Sequence, residues 1–172
     1  SFSTRGLVLG YVQSGKTTNF TGLISKAADV GYKFFIVLSG VHNKLRAQTQ
    51  ARLYDELVAL NTEHWISVTQ LDSDFRISGV GNVDAFLTAN YDHKVLGVVK
   101  KNMTVLTRLR DWLRGASETV LAACPILIID DEADQASINT TGDAEYRRRI
   151  NGLLLELLAS GTKVSYVGYT AT

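Results

Sequence analysis

At 172 residues the chain is of single-domain size and long enough to bury a substantial core. Hydrophobic residues make 45% of it and charged residues 20%, which excludes a disordered chain, and no run approaches the ~20 apolar residues of a membrane-spanning helix. The net charge of +1 excludes a global basic footprint, so contact with nucleic acid has to come from a local patch; the single cysteine, Cys124, excludes an internal disulfide and a cysteine-based zinc site.

In chain order, GLVLG (6–10) reads as a first strand, followed by a glycine-rich turn and a helix over 16–29. YKFFIVLSG (32–40) reads as a second strand leading into a helix over 42–59, and HWISVTQL (64–71) as a third strand. Residues 72–93 break the rhythm with Gly, Asn and Asp and predict a surface loop with one short helix. KVLGVVK (94–100) and a helix over 102–115 follow, then CPILIIDD (124–131), a helix over 144–159 and TKVSYVGYT (162–170). In the last helix Ile150, Leu153, Leu154, Leu157 and Leu158 line one face at three- and four-residue spacing. Several strands are apolar at consecutive positions, as parallel strands covered on both faces are. The alternation predicts a three-layer α/β fold with a mainly parallel sheet, in one domain over 1–172. No secretion signal is visible, and the cysteine usage fits a reducing cytoplasm without membrane attachment. The start at Ser1 and the stop inside YVGYTAT read as a piece of a longer protein.

Gly10, Gly15, Lys16 and Thr17 match G-x-x-x-x-G-K-[ST], with an apolar strand before them and a helix-compatible run after. The glycines let the loop wrap tightly, so that amide N–H groups at a helix N-terminus point at phosphate oxygens. Lys16 is expected to reach the β- and γ-phosphates of ATP and Thr17 to offer its hydroxyl to Mg²⁺; Gln13, Ser14 and Thr18 complete the expected nucleotide-contacting set. The Gln13 amide has two open roles, meeting the γ-phosphate or a partner domain, or stabilising the loop. Taken alone, the loop also fits a plain glycine turn capping a helix.

ILIIDDEADQAS (126–137) is an apolar strand ending in Asp130, Asp131, Glu132 and Asp134. Unpaired buried charges are costly, so such a cluster implies a use. In a parallel sheet this strand end lies at the edge where α/β folds bind ligands, beside the phosphate loop. Asp131 is then placed to hold Mg²⁺ through water, and Glu132 to orient and activate the attacking water. With Lys16 these form the expected catalytic set. His42, His64 and His93 are scattered, and Trp65 and Trp112 read as core residues.

DEAD (131–134) with its upstream phosphate loop resembles the first RecA-like domain of superfamily 2 helicases, and YTAT (169–172) resembles their third motif. RGLVLGYVQSGKT, GYKFFIVLSGVHNKLRAQTQARL, VLGVVKKNMTVLTRLRDWL and LIIDDEADQASINT are together similar to the Z-one domain family, and cover about half the chain. Members of that family are bacterial proteins described as endonucleases and found beside restriction and phage-defence genes. The resemblance implies a RecA-like P-loop ATPase domain, ATP hydrolysis with Mg²⁺, and a DNA-directed role beside a second RecA-like domain, further domains and other defence subunits. It implies that Thr170, Ala171 and Thr172 couple nucleotide state to the nucleic-acid site. It also implies backbone contacts from the two strand–helix junctions, by Ser39, His42, Asn43, Arg46 and Gln48 in the first and Lys100 and Lys101 in the second. Two other readings stay open: an ATP-gated endonuclease whose cutting centre lies outside this chain, and a nucleotide-dependent switch or scaffold without translocation.

Overall fold

Six of the apolar runs become strands in the computed structural model, which describes residues 2–9, 16–88, 92–133 and 143–170. They are β1 (Phe2–Leu9), β2 (Phe34–Leu38), β3 (Trp65–Ser67), β4 (Lys94–Val99), β5 (Ile126–Asp130) and β6 (Lys163–Thr170). All pair in parallel, in the order β1-β6-β5-β2-β4-β3. Every position of β2 and β5 is buried, which is why these strands read as unbroken apolar runs rather than alternating ones.

The helices are α1 (Lys16–Asp29), α2 (Asn43–Leu53, widening into a π turn over Tyr54–Val58), α3 (Ile77–Val80), α4 (Val83–Leu87), α5 (Met103–Arg114), α6 (Glu118–Ala123) and α7 (Asp143–Leu158). On one face of the sheet, Ile24 and Ala27 of α1 and Leu53, Leu57 and Val58 at the end of α2 pack on Phe35, Val37, Leu96, Val98, Leu127 and Ile129. On the other, α3, α4, α5 and α7 pack on Phe34, Ile36, Leu38, Val95, Val99, Ile126 and Ile128. Odd and even strand positions thus feed two separate cores, and the domain has three layers, a RecA-like α/β arrangement. The faces follow from topology. The chain steps one way across the sheet from β1 to β3 and back from β3 to β6, and right-handed crossovers require the helices to change sides at that reversal.

Trp112 anchors the second core, with Phe34, Phe75 and Phe86 meeting it edge to face at centroid distances of 6.0, 5.4 and 6.1 Å and its indole N–H donating to the Gly81 carbonyl at 2.8 Å. Trp65 is buried against Phe35 at 5.3 Å.

Four regions differ from the sequence reading, the first being β1, which begins at Phe2 rather than at Gly6. The third strand spans only Trp65–Ser67, because past Val68 the Val98 amide donates to the Thr69 hydroxyl at 2.9 Å instead of to a backbone carbonyl. Thr69 in turn donates to Gln50 Oε1 at 2.6 Å, which turns the chain out of the ladder. The 72–93 stretch holds two short helices, α3 and α4, and α6 follows α5 without having been foreseen. Among the described residues, no helix is long and apolar enough to cross a membrane.

Candidate functional site

The carboxyl ends of the strands share one edge. Leu9, the last residue of β1, pairs with Thr170, and on the other side of β6 Asp130 pairs with Gly168. The acidic strand end and the last residue of β1, after which the glycine-rich sequence follows, therefore flank the end of β6, which holds Tyr169 and Thr170. Loop residues Gly10, Gln13, Ser14 and Gly15 lie outside the described residues, as do Asp134, Ala171 and Thr172; of Lys16, Thr17 and Thr18 the backbone is described, as the first turn of α1.

The acidic motif holds four carboxylates in sequence; among the three described, Asp130 stands apart. Asp130 is fully buried, and its Oδ2 accepts from the Lys101 ammonium at 2.7 Å and the Tyr166 hydroxyl at 2.9 Å. Its Oδ1 accepts from the Glu132 amide at 3.3 Å. Burial first, then the Asp130 charge and this hydrogen bond, hold the Tyr166 hydroxyl well above its ordinary pKa near 10. Asp131 and Glu132 are half-buried. Asp131 continues the odd series of Leu127 and Ile129 toward the α1–α2 face, where its charge adds to burial in raising the pKa of Tyr169. The Tyr169 hydroxyl donates to Asn19 Oδ1 at 2.7 Å, tying β6 to the first turn of α1.

Glu132 lies over Gly40. A Cβ on Gly40 would stand 2.5 Å from Glu132 Oε2, and Gly40 has φ +56°, a conformation glycine adopts without strain. Ser39, Leu45, Gln48, Thr49 and Arg52 face Asp131 and Glu132 across a cleft of about 270 Å³ between α2 and the strand ends.

The two basic junctions divide. His42 is the exposed N-cap of α2 without a side-chain cap bond, and Asn43, Lys44 and Gln48 are exposed. Lys100 is half-buried, its amide donating to Asp74 Oδ2 at 3.3 Å. Arg46 and Lys101, expected at a phosphate backbone, instead point inward with 3% exposure each. The Arg46 guanidinium donates to the carbonyls of Gln70, Leu71 and Val98 at 2.8, 2.7 and 3.3 Å and stands 4.0 Å from Asp74. Lys101 is spent on Asp130 and on the Glu132 carbonyl, the latter at 3.1 Å. The inward pull is electrostatic: Lys101 meets the buried carboxylate of Asp130, and Arg46 meets the buried Val98 carbonyl together with the carbonyls of Gln70 and Leu71 and the Asp74 carboxylate. Ser39 is buried as well, its amide donating to the Val99 carbonyl at 3.0 Å.

Cys124 is fully buried, which pushes its thiol up to about 12 and leaves it a packing residue. Among the described residues, no three His, Cys, Asp or Glu side chains gather into a metal cage. Neither a known family model nor a curated protein matches the chain.

Proposed function

We propose that this chain is the first motor domain of a helicase-like, DNA-directed ATPase of bacterial restriction or phage defence, working in the cytoplasm. The observation that carries the reading is the shared strand edge. The sequence G-x-x-x-x-G-K-T leaves β1 there, Asp131 and Glu132 leave β5, and β6 with its YTAT ending runs between them.

In this reading Lys16 and the amides of loop 10–15 neutralise phosphate charge, and Glu132 aligns and deprotonates the attacking water. Asp131 and Thr17 would hold a magnesium ion; a carboxylate and a hydroxyl suffice, because magnesium keeps several waters and takes its remaining ligands from substrate phosphates. When bound, that ion supplies charge neutralisation at the transferring phosphoryl group. Thr170 sits buried at the end of β6 beside Leu9, suited to relay a change at the loop. On the DNA side, His42, Asn43 and Lys100 remain as surface donors, and the partner set is DNA, a second RecA-like domain and other defence subunits. A stimulating arginine would come from that second domain, and such a group is worth ~10³–10⁵ in rate. The test is ATP turnover by the full-length protein with and without DNA, comparing wild type with Glu132→Gln. DNA-stimulated turnover lost in the variant is expected; turnover indifferent to both DNA and the substitution would sink the reading.

A further inference from the structure

Beneath Glu132 lies a closed ring of contacts that the nucleotide reading does not use. The Glu132 amide donates to Asp130 Oδ1 at 3.3 Å, and its carbonyl accepts from Lys101 Nζ at 3.1 Å. The two side chains are themselves joined at 2.7 Å, so one buried ion pair holds the Glu132 residue by both of its backbone groups. The Lys101 amide donates to the Gly40 carbonyl at 2.8 Å, and Gly40 is the residue against which the Glu132 carboxylate rests. Tyr166 fixes Asp130 from β6 at 2.9 Å. The neighbouring amides are held as well, Asp131 by the Leu38 carbonyl at 3.0 Å and Ala133 by the Tyr169 carbonyl at 2.9 Å.

We propose that Lys101 and Asp130 are positioning residues that set where the Glu132 carboxylate stands at the mouth of the cleft. The inference rests on the reading of Glu132 as the water-aligning base. A buried ion pair is a weak source of net stability, since its desolvation offsets most of its attraction. What this pair supplies is direction. Lysine suits the task because one ammonium carries three donors on a compact charge, of which Asp130 Oδ2 and the Glu132 carbonyl take two. The geometry also gives the pair a location of consequence. Lys101 is adjacent to Lys100, the surface cation of the second junction, so a shift of the β4–α5 connection would reach Glu132 through a single residue.

The test uses the full-length protein, with turnover normalised to titrated sites for a fluorescent ATP analogue. Lys101→Met strands the Asp130 charge and so costs folded protein, and the neutral pair Lys101→Met/Asp130→Asn is made beside it. Turnover of the neutral pair is expected to fall by on the order of 10²-fold, the effect of a reacting group misplaced by about 1 Å. Analogue affinity is expected to hold within about twofold, and the same pair placed in Glu132→Gln is expected to slow turnover no further, since groups acting through one another are not additive. Turnover at the wild-type level per site, or a loss that multiplies that of Glu132→Gln, overturns the positioning role. If Glu132→Gln itself turns over at the wild-type rate, the reading of Glu132 fails first, and the positioning role with it.

Discussion

The junctions after β2 and after β4 look alike as sequence: a buried strand, a short turn with a polar cap residue, and basic residues in or just before the first turn of a helix. In space each keeps one cation outside and folds one inside, but the two inner cations do different work. Arg46 sits one turn into α2 and reaches neutral backbone carbonyls of Gln70, Leu71 and Val98, stitching the loop after β3 to the sheet. Lys101 sits before α5, whose N-cap is Asn102, and neutralises the buried carboxylate of Asp130. The Arg46 partners are one buried carbonyl, two carbonyls at exposed positions and a partly exposed carboxylate 4.0 Å away; the Lys101 partner is a carboxylate with no exposure. The difference teaches that a basic residue near a strand–helix junction is a surface ligand or a strut according to the face it shares, not its charge.

The largest expected effect comes from breaking the charged strut. Lys101→Met leaves Asp130 buried and unpaired, and should lower unfolding free energy by about 3–5 kcal/mol in urea titrations. The neutral Lys101→Met/Asp130→Asn pair should recover most of that loss. Arg46→Met comes next, at about 2–3 kcal/mol, because the carbonyls it leaves are neutral and Asp74 keeps the amides of Phe75 and Lys100 as donors. A larger loss for Arg46 than for Lys101 would reverse the ranking and break the comparison.

Gly40 links the two junctions, as the end of the first and the acceptor for the Lys101 amide. Gly40→Ala puts a Cβ at φ +56° and 2.5 Å from the Glu132 carboxylate. The backbone part should be about 1–2 kcal/mol. In a Glu132→Ala background only that part should remain, so the difference between the two backgrounds measures the carboxylate contact.

A pH titration separates the struts by another route. Tyr166 belongs to the Lys101 cluster, and its hydroxyl keeps its proton in the fold above its ordinary pKa of 10. As pH rises past 10 the unfolded chain releases that proton first, so the folded state binds more protons and stability falls. Tyr169 and Cys124, raised in the same direction, add to the fall. Tyr166→Phe should flatten part of the alkaline slope of the unfolding midpoint, whereas Arg46→Met should leave the slope unchanged.

Much of this was legible in the sequence. The order of strands and helices, the α1 range and the acidic end of β5 follow from periodicity and composition. Their placement on one edge follows from parallel pairing. The inner cations, expected from their charge at a phosphate backbone, are placed inside by parity instead. Asp130 continues the even series of Ile126 and Ile128, and Lys101 the odd series of Val95 and Val99, and both series face the α5–α7 core. Arg46 falls on the buried stripe of α2 with Thr49, Gln50 and Leu53, at helical spacing. The early end of β3 was not legible, because it depends on the Thr69 hydroxyl finding a backbone amide from a strand 29 residues away. Nor was α6, which buries none of its residues and so leaves no periodic trace.

The outer members of the two junctions should show the smallest structural effect and the clearest functional one. Lys100→Ala, His42→Ala and Asn43→Ala remove side chains from half-buried or exposed positions, and each should change stability by no more than about 0.5 kcal/mol. If the junctions track a DNA backbone, Lys100→Ala should weaken binding of the full-length protein about equally across unrelated sequences. It should also reduce the slope of log affinity against log salt by about 1, the signature of one lost phosphate contact. Asn43 is an uncharged donor, and Asn43→Ala should weaken binding without moving that slope. The inner pair supplies the contrast: Arg46→Met should leave the slope unchanged at any temperature where the variant stays folded, because its charge faces carbonyls and Asp74 rather than solvent. A slope that drops for Arg46 but not for Lys100 would mean that the two faces had been assigned the wrong way round.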